Sequence, residues 1–201
     1  MSRTIIALCV TAAFGFAAPF AAQSASTNAV AVPLSKDAYA SAKKDADAQY
    51  KIDKDACASQ SANARDICMA QAKGKEKAVK ADALAAYENT PKHRESARVA
   101  HAQWGYDVAM QKCDDLAGNT KDVCVKEAKA ELVKGKADAK VDRVAADTRI
   151  DGSAKRTEAR VEASADKRDA DYKVALEKCD ALSGPAKDTC VGSAKVQFGK
   201  S

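Results

Sequence analysis

The stretch YDVAMQKCDDLAGNTKDVC, Tyr106–Cys124, decides the fold. Its frame is Tyr-x6-Cys-x10-Cys. The same frame precedes it as Tyr50, Cys57 and Cys68, and follows it as Tyr172, Cys179 and Cys190. Each copy carries a basic residue and Asp ahead of the second cysteine: Arg65-Asp66, Lys121-Asp122 and Lys187-Asp188. Each carries Ala-Lys after it: Ala72-Lys73, Ala128-Lys129 and Ala194-Lys195. Agreement at this many positions reads as one unit written three times.

Upstream of the turn, Val99, Ala102, Tyr106, Ala109, Cys113 and Leu116 step by three and four, which lays one seam along a helix. Val161, Ala165, Tyr172, Ala175, Cys179 and Leu182 keep that stepping, interrupted by Arg168. In the first copy Asp53 takes the alanine place between Tyr50 and Cys57. Within the turn, Gly118 and Gly184 signal a helix end, because glycine adopts positive φ without a Cβ clash. Asn63 and Asn119 stand three residues ahead of Asp66 and Asp122, as an N-cap stands ahead of a first-turn acid. Pro185 suits a first helical position. Each unit therefore reads as helix, tight turn, helix, with one cysteine on either side of the turn. Six cysteines allow fifteen pairings. The repeat favours Cys57–Cys68, Cys113–Cys124 and Cys179–Cys190, which an antiparallel pair brings within bridging reach.

Two plain breaks, Asn89-Thr90-Pro91 and Ile150-Asp151-Gly152-Ser153, fall midway between these turns. Together they predict six helices, at about 36–60, 64–87, 92–117, 121–149, 154–182 and 186–199. The fold class is all-α. The three stapled hairpins form either an up-down six-helix bundle or an elongated helical array. Seam residues far from the turns, such as Val79, Val99, Leu132 and Val161, favour the bundle.

The N-terminus sets the compartment. Arg3, the apolar run Ile5–Phe16, Pro19 and Ala22-Gln23-Ser24 match the parts of a secretory signal peptide over residues 1–24. The apolar run is short for a membrane span, so no stable span is expected after cleavage. Residues 25–35 read as a disordered leader. Residues 36–201 read as the helical domain, in repeats 36–89, 90–151 and 152–201. Cleavage removes Cys9 and leaves an even six cysteines in an exported chain, which reads as a disulfide framework. Zinc knuckles space their cysteines two to four apart; here the gap is ten, so no metal site is expected.

From Ala25 on, Val, Ile, Leu and Phe supply 24 of 177 residues, against 39 alanines. Alanine buries little area, so the hydrophobic term is thin and the bridges matter more. Closing a loop of this length stabilises by roughly 2–3 kcal/mol on the chain-entropy model. The formal charge of +5 is spread along the chain with no basic block, which argues against nucleic acid as a partner.

No nucleophile motif or phosphate loop is present. His93 and His101 lie eight apart, a poor ligand pair. Asp45, Asp47, Asp138 and Asp142 have basic neighbours and read as solvated faces. The chain is accordingly expected to be non-enzymatic and without cofactor. Cys68, Cys124 and Cys190 near helix N-termini raise a redox alternative, since a helix dipole lowers a thiol pKa; three equivalent pairs at turns read instead as staples. Tyr50, Tyr106 and Tyr172 are the largest repeated side chains. They are expected to pack in the seam, the other reading being an exposed row that meets a client or a glycan. Trp104 is expected to cover a bundle edge.

In stretches such as Lys129-Ala130-Glu131 and Lys136-Ala137-Asp138-Ala139-Lys140, the chain resembles small exported Ala/Lys-rich helical proteins of Gram-negative bacteria labelled TolA-like or cell-envelope biogenesis. The stapled hairpins also look like the twin-cysteine hairpins of the mitochondrial intermembrane space, which use a gap of nine. The first resemblance implies a periplasmic protein with a structural or interaction role at the cell envelope. Envelope proteins, peptidoglycan or a second copy of the chain are then the partners to expect. The alternatives are a periplasmic chaperone and a thiol redox or metal-binding protein.

Overall fold

The structure, a computed structural model, describes residues 33–147 and 153–200. The expected signal peptide, residues 25–32 of the expected leader and residues 150–152 of the second plain break lie outside the described residues. Within them the chain is helical, without a strand. The helices are α1 Lys36–Cys57, α2 Ala62–Glu88, α3 Pro91–Cys113, α4 Gly118–Asp147, α5 Ser153–Cys179 and α6 Gly184–Phe198. Disulfides Cys57–Cys68, Cys113–Cys124 and Cys179–Cys190 join α1 to α2, α3 to α4 and α5 to α6, with Cα atoms 5.6, 5.6 and 5.7 Å apart.

The helix entering each turn stops at its first cysteine, three or four residues sooner than the spacing predicts. The cause is a tightening of the backbone. Gln60 donates its N–H to the Cys57 carbonyl at 3.1 Å, Leu116 to Cys113 at 3.1 Å, and Leu182 to Cys179 at 2.9 Å. These shorter loops satisfy carbonyls that a continuing helix would otherwise use. The left-handed residue comes last in the turn, where it re-aims the chain into the next helix. It is Gly118 (φ 57°) and Gly184 (φ 58°), but in the first turn it is Ala62 (φ 48°). An alanine Cβ in that region costs about 1 kcal/mol.

Two of the expected caps turn out to do something else. Ser61, not Asn63, is the N-cap residue of α2. Asn63 and Asn119 sit inside the first turns of α2 and α4 and reach sideways. Asn63 Nδ2 donates to the Gln111 carbonyl at 2.6 Å, and Asn119 Nδ2 to the Glu177 carbonyl at 2.9 Å. Each therefore ties one hairpin to the next, at corresponding positions. Pro185 holds the corresponding place in α6 and has no such donor.

Two further helix starts are capped by hydroxyls. Ser35 accepts from the Ala38 N–H at 3.1 Å and caps α1. Leu34 donates its N–H to Ala86 at 3.0 Å, so the last residues of the expected leader are tied to α2 rather than free. At the plain break, Asn89 takes a left-handed φ of 47° and Thr90 Oγ1 accepts from the His93 N–H at 3.2 Å.

The buried set consists of alanines, Gly74 and the three first cysteines; Cys57, Cys113 and Cys179 are the largest fully buried side chains. Small residues let the helix axes approach closely. At Gly74 a Cβ would overlap the Trp104 ring, so glycine is required there for the indole to cross α2. Among the described residues, each helix packs only on its neighbours in the chain. Of the two expected arrangements, these contacts fit the array of successive hairpins better than the favoured up-down bundle. The physical reason lies in the seams. Val79 and Val161, read as far-seam residues, are 40% and 62% exposed. Alanine stripes pair two helices but leave little apolar surface to draw a third or fourth helix around them.

Ion pairs set the register between neighbours. Lys75 meets Asp53 at 3.0 Å across α1 and α2, and Arg143 meets Glu95 at 2.7 Å across α3 and α4. Lys134 meets Asp171 at 2.6 Å and Lys126 meets Glu177 at 3.2 Å across α4 and α5. Asp47, Asp138 and Asp142 pair with Lys80, Lys167 and Arg98. Such exposed pairs contribute little singly; their use is to penalise a slipped register.

Candidate functional site

Tyr106 lies in a concavity with a polar rim. α3, α4 and α5 line a groove of about 720 Å³ across the exposed side of α4. Its apolar part is Tyr106, Ala130, Leu132, Val133 and Ala170. Its rim carries Lys126, Lys129 and Lys173 together with Asp166 and Asp169. Lys126 is engaged by Glu177, and Asp169 by Lys200 at 2.5 Å. Lys200 holds the Asp169 carboxyl below its ordinary value. The Leu132-Val133 pair departs from the first hairpin, whose corresponding residues are Glu76-Lys77. α4 thus has an apolar face where α2 has a charged one.

Tyr50 lines a smaller groove, about 390 Å³, between α1 and α2 with Ala46, Ala72 and Val79. Asp53 on its rim accepts from Gln49 Nε2 at 2.7 Å and from Lys75 Nζ at 3.0 Å, which together hold its carboxyl low. Tyr172 is covered instead: its ring lies 6.0 Å from that of Phe198, with Lys200 Nζ 5.9 Å from its centroid. The three tyrosines are all half-buried but do not form one row of like surroundings. Tyr106 is the one set in the large groove.

Cys57 and Cys68 line a third groove, about 370 Å³, together with Trp104, Asp53 and Lys75. Trp104, expected at a bundle edge, lies over Gly74 of α2 beside the first staple. The histidines stay apart in role. His101 Nε2 lies 2.8 Å from Asp82 Oδ2, and His93 Nδ1 lies 2.8 Å from Thr90 Oγ1. Among the described residues, no group of three His, Cys, Asp or Glu has the geometry to hold a metal ion.

Chemically, this arrangement suits contact. The groove carboxylates with a resolved shift, Asp53 and Asp169, are pushed down rather than up, so they stay ionised at neutral pH and have no proton to give. Sequence reasoning passed over Val133, read Leu132 only as a seam residue and Lys129 only as a mark of the repeat, and misassigned Asn63 and Asn119. For Asn the available signal was its recurrence six residues after the first cysteine in two copies and its replacement by Pro185 in the last.

No family model, curated protein or solved structure matches the chain. The fold itself defines a class in physical terms: an open file of helical hairpins, each closed by one disulfide. No helix among the described residues is long and apolar enough to cross a membrane. Three disulfides fit an oxidising compartment.

Proposed function

We propose that this is a non-enzymatic periplasmic protein that acts through contacts at the cell envelope. Its hairpins serve as a stiff scaffold, and the Tyr106 groove is its principal contact surface. The observation that carries this reading is the groove's departure from the pattern of the first hairpin. Leu132-Val133 stands where the first hairpin has Glu76-Lys77, and Val133 remains 38% exposed. An apolar pair kept at the surface between lysines suits a partner with apolar groups and anionic flanks, as envelope proteins and peptidoglycan peptides provide. The signal-like N-terminus and the disulfides support a setting outside the cytoplasm for such contacts.

Mild in-cell crosslinking tests this, with the chain recovered from a periplasmic fraction and from washed cell-wall sacculi. Recovery with sacculi or with one set of envelope proteins is the expected result, reduced by Val133→Asp. Crosslinks to many unrelated polypeptides would sink it in favour of a client-binding chaperone, a reading that the exposed Val133 also supports.

A further inference from the structure

Two helix junctions join successive hairpins within the chain: α2 to α3 and α4 to α5. In both, the residue six after the second cysteine is buried at the junction. It is Gly74 beneath Trp104 in one, and Ala130, 4% exposed, in the other. The corresponding residue of α6 is Val196, which is 84% exposed. On the receiving helices, the residue five before the first cysteine is Val108 or Val174, both half-buried. In α1 that place belongs to Ile52, which is 62% exposed. Among the described residues, α6 and α1 therefore each present one half of the junction that is built twice internally.

We propose that copies of this chain associate head to tail, α6 of one copy lying against α1 of the next in the register of the α4–α5 junction. That register is fixed by Asn119 on the Glu177 carbonyl and by the Lys126–Glu177 and Lys134–Asp171 pairs. In it, Ala130 and Ala170 line one groove. Carried over to the ends, it sets Val196 against Ala48 and Ile52 of the next copy. A second copy is the occupant because the contact continues an interface already present in the fold. The two faces differ, so the contact is heterologous and does not close on itself; mass grows with concentration beyond the dimer.

The contact is weaker than its internal models for three reasons. Gly192 and Gln49 stand where that register has Lys126 and Asp171, so neither ion pair recurs. α6 has 15 residues against 30 in α4. Pro185 also lacks the side-chain donor that an asparagine would offer to the Asp55 carbonyl of the next copy, the counterpart of Gln111 and Glu177. This supplies a test with a sign. The proposal does not depend on the envelope reading above.

Sedimentation of the chain lacking residues 1–24, from micromolar to millimolar concentration, reads the association. The expected result is a weight-average mass that rises without a plateau at dimer. Val196→Asp and Ile52→Asp are each expected to weaken it at least about tenfold, by placing a charge on the apolar contact. Pro185→Asn is expected to strengthen it about fivefold, the worth of one added hydrogen bond. All three positions are exposed, and circular dichroism confirms that each variant folds. Copies carrying Ala48→Cys mixed with copies carrying Val196→Cys should also join through a short thiol-specific crosslinker. A monomer at every concentration overturns the proposal. So does a closed dimer indifferent to Val196→Asp, or a crosslink that fails in the mixture.

Discussion

The first cystine turn and the other two hold the same bridge on different chemistry. At the second turn Asp114 pairs with Lys121 at 2.9 Å, and at the third Asp180 pairs with Lys187 at 2.9 Å. Ala58 stands at that place in the first turn, so Arg65 has no carboxylate opposite it there. The second and third turns put glycine at the left-handed position; the first puts Ala62 there. The backbone nonetheless follows one path in all three, with the same tightening bond after the first cysteine. A covalent bridge holds a turn whose side chains specify it only weakly, and the first turn leans on its bridge the most.

Removing bridges should break this comparison with the largest effect. Replacing Cys57 and Cys68 together by alanine is expected to cost about 3 kcal/mol on the chain-entropy model. The damage should be local. Among the described helices α1 packs on α2 alone, so its amide protons should lose protection before the rest. Replacing Cys113 and Cys124 should cost a similar amount, yet α3 and α4 each keep a second neighbour and the Asp114–Lys121 pair. Hydrogen exchange read by mass spectrometry separates the two cases. Early loss of protection in α3 and α4 would show that the first turn is not the dependent one.

The asparagine ties sharpen the contrast between inner and outer hairpins. Asn63→Ala and Asn119→Ala should each lower stability by about 1 kcal/mol in denaturant melts. Serine discriminates tie from cap. A capping role would accept serine almost without loss, whereas the tie needs the reach and the N–H of the carboxamide. Asn63→Ser should therefore cost nearly as much as Asn63→Ala. Pro185→Ala, where no tie exists, should leave the monomer's stability nearly unchanged.

Ala62 offers an effect of opposite sign. Ala62→Gly should raise stability by about 1 kcal/mol, by removing the Cβ from the left-handed region. Gly118→Ala should lower it by about the same amount. The pair would equalise or invert the two turns, and thermal melts at one pH measure both. Equal responses of the same sign would show that the φ at this position does not set the difference.

Much of this architecture was legible because it rests on local chemistry. Helix-forming composition, turn glycines and a fixed cysteine spacing act over a few residues, and they gave six helices and the three pairings. Closure was harder to read. Val79, Val99, Leu132 and Val161 look alike in a seam pattern, but only the third dimension shows that Val79 and Val161 face water. The Asn63 tie spans 48 residues and the Asn119 tie 58, so neither is visible in a local window. Its sign in the sequence was a departure between copies, Pro185 for asparagine. The groove is of the same kind: Leu132-Val133 against Glu76-Lys77. In a repeated chain the shared positions specify the scaffold, and the unshared ones point to contacts with something else.

pH gives the smallest effect and the finest comparison of the turns. Lys80 holds the Asp47 carboxyl below its ordinary value; Gln49 and then Lys75 do so for Asp53, and Lys200 for Asp169. A carboxyl lowered on folding contributes its full stability above its unfolded value, about 3.9. It loses that contribution as pH falls through the folded value. Asp47, Asp171 and Asp180 raise Lys80, Lys134 and Lys187. A lysine raised on folding contributes fully below about 10.4 and loses the contribution as pH rises through the folded value. The melting temperature should therefore be level between about pH 5 and 9, with shallow declines outside that range. All these groups are solvent-screened, so high salt should flatten both limbs. The alkaline limb distinguishes the turns. Lys187→Met should remove the third turn's share of it, whereas Arg65→Met should change nothing, because the first turn has no aspartate across from it. Calorimetry of the two variants at pH 7 and above pH 10 reads the difference. An alkaline limb unaltered by Lys187→Met would mean that the turn pairs add nothing to the bridges they flank.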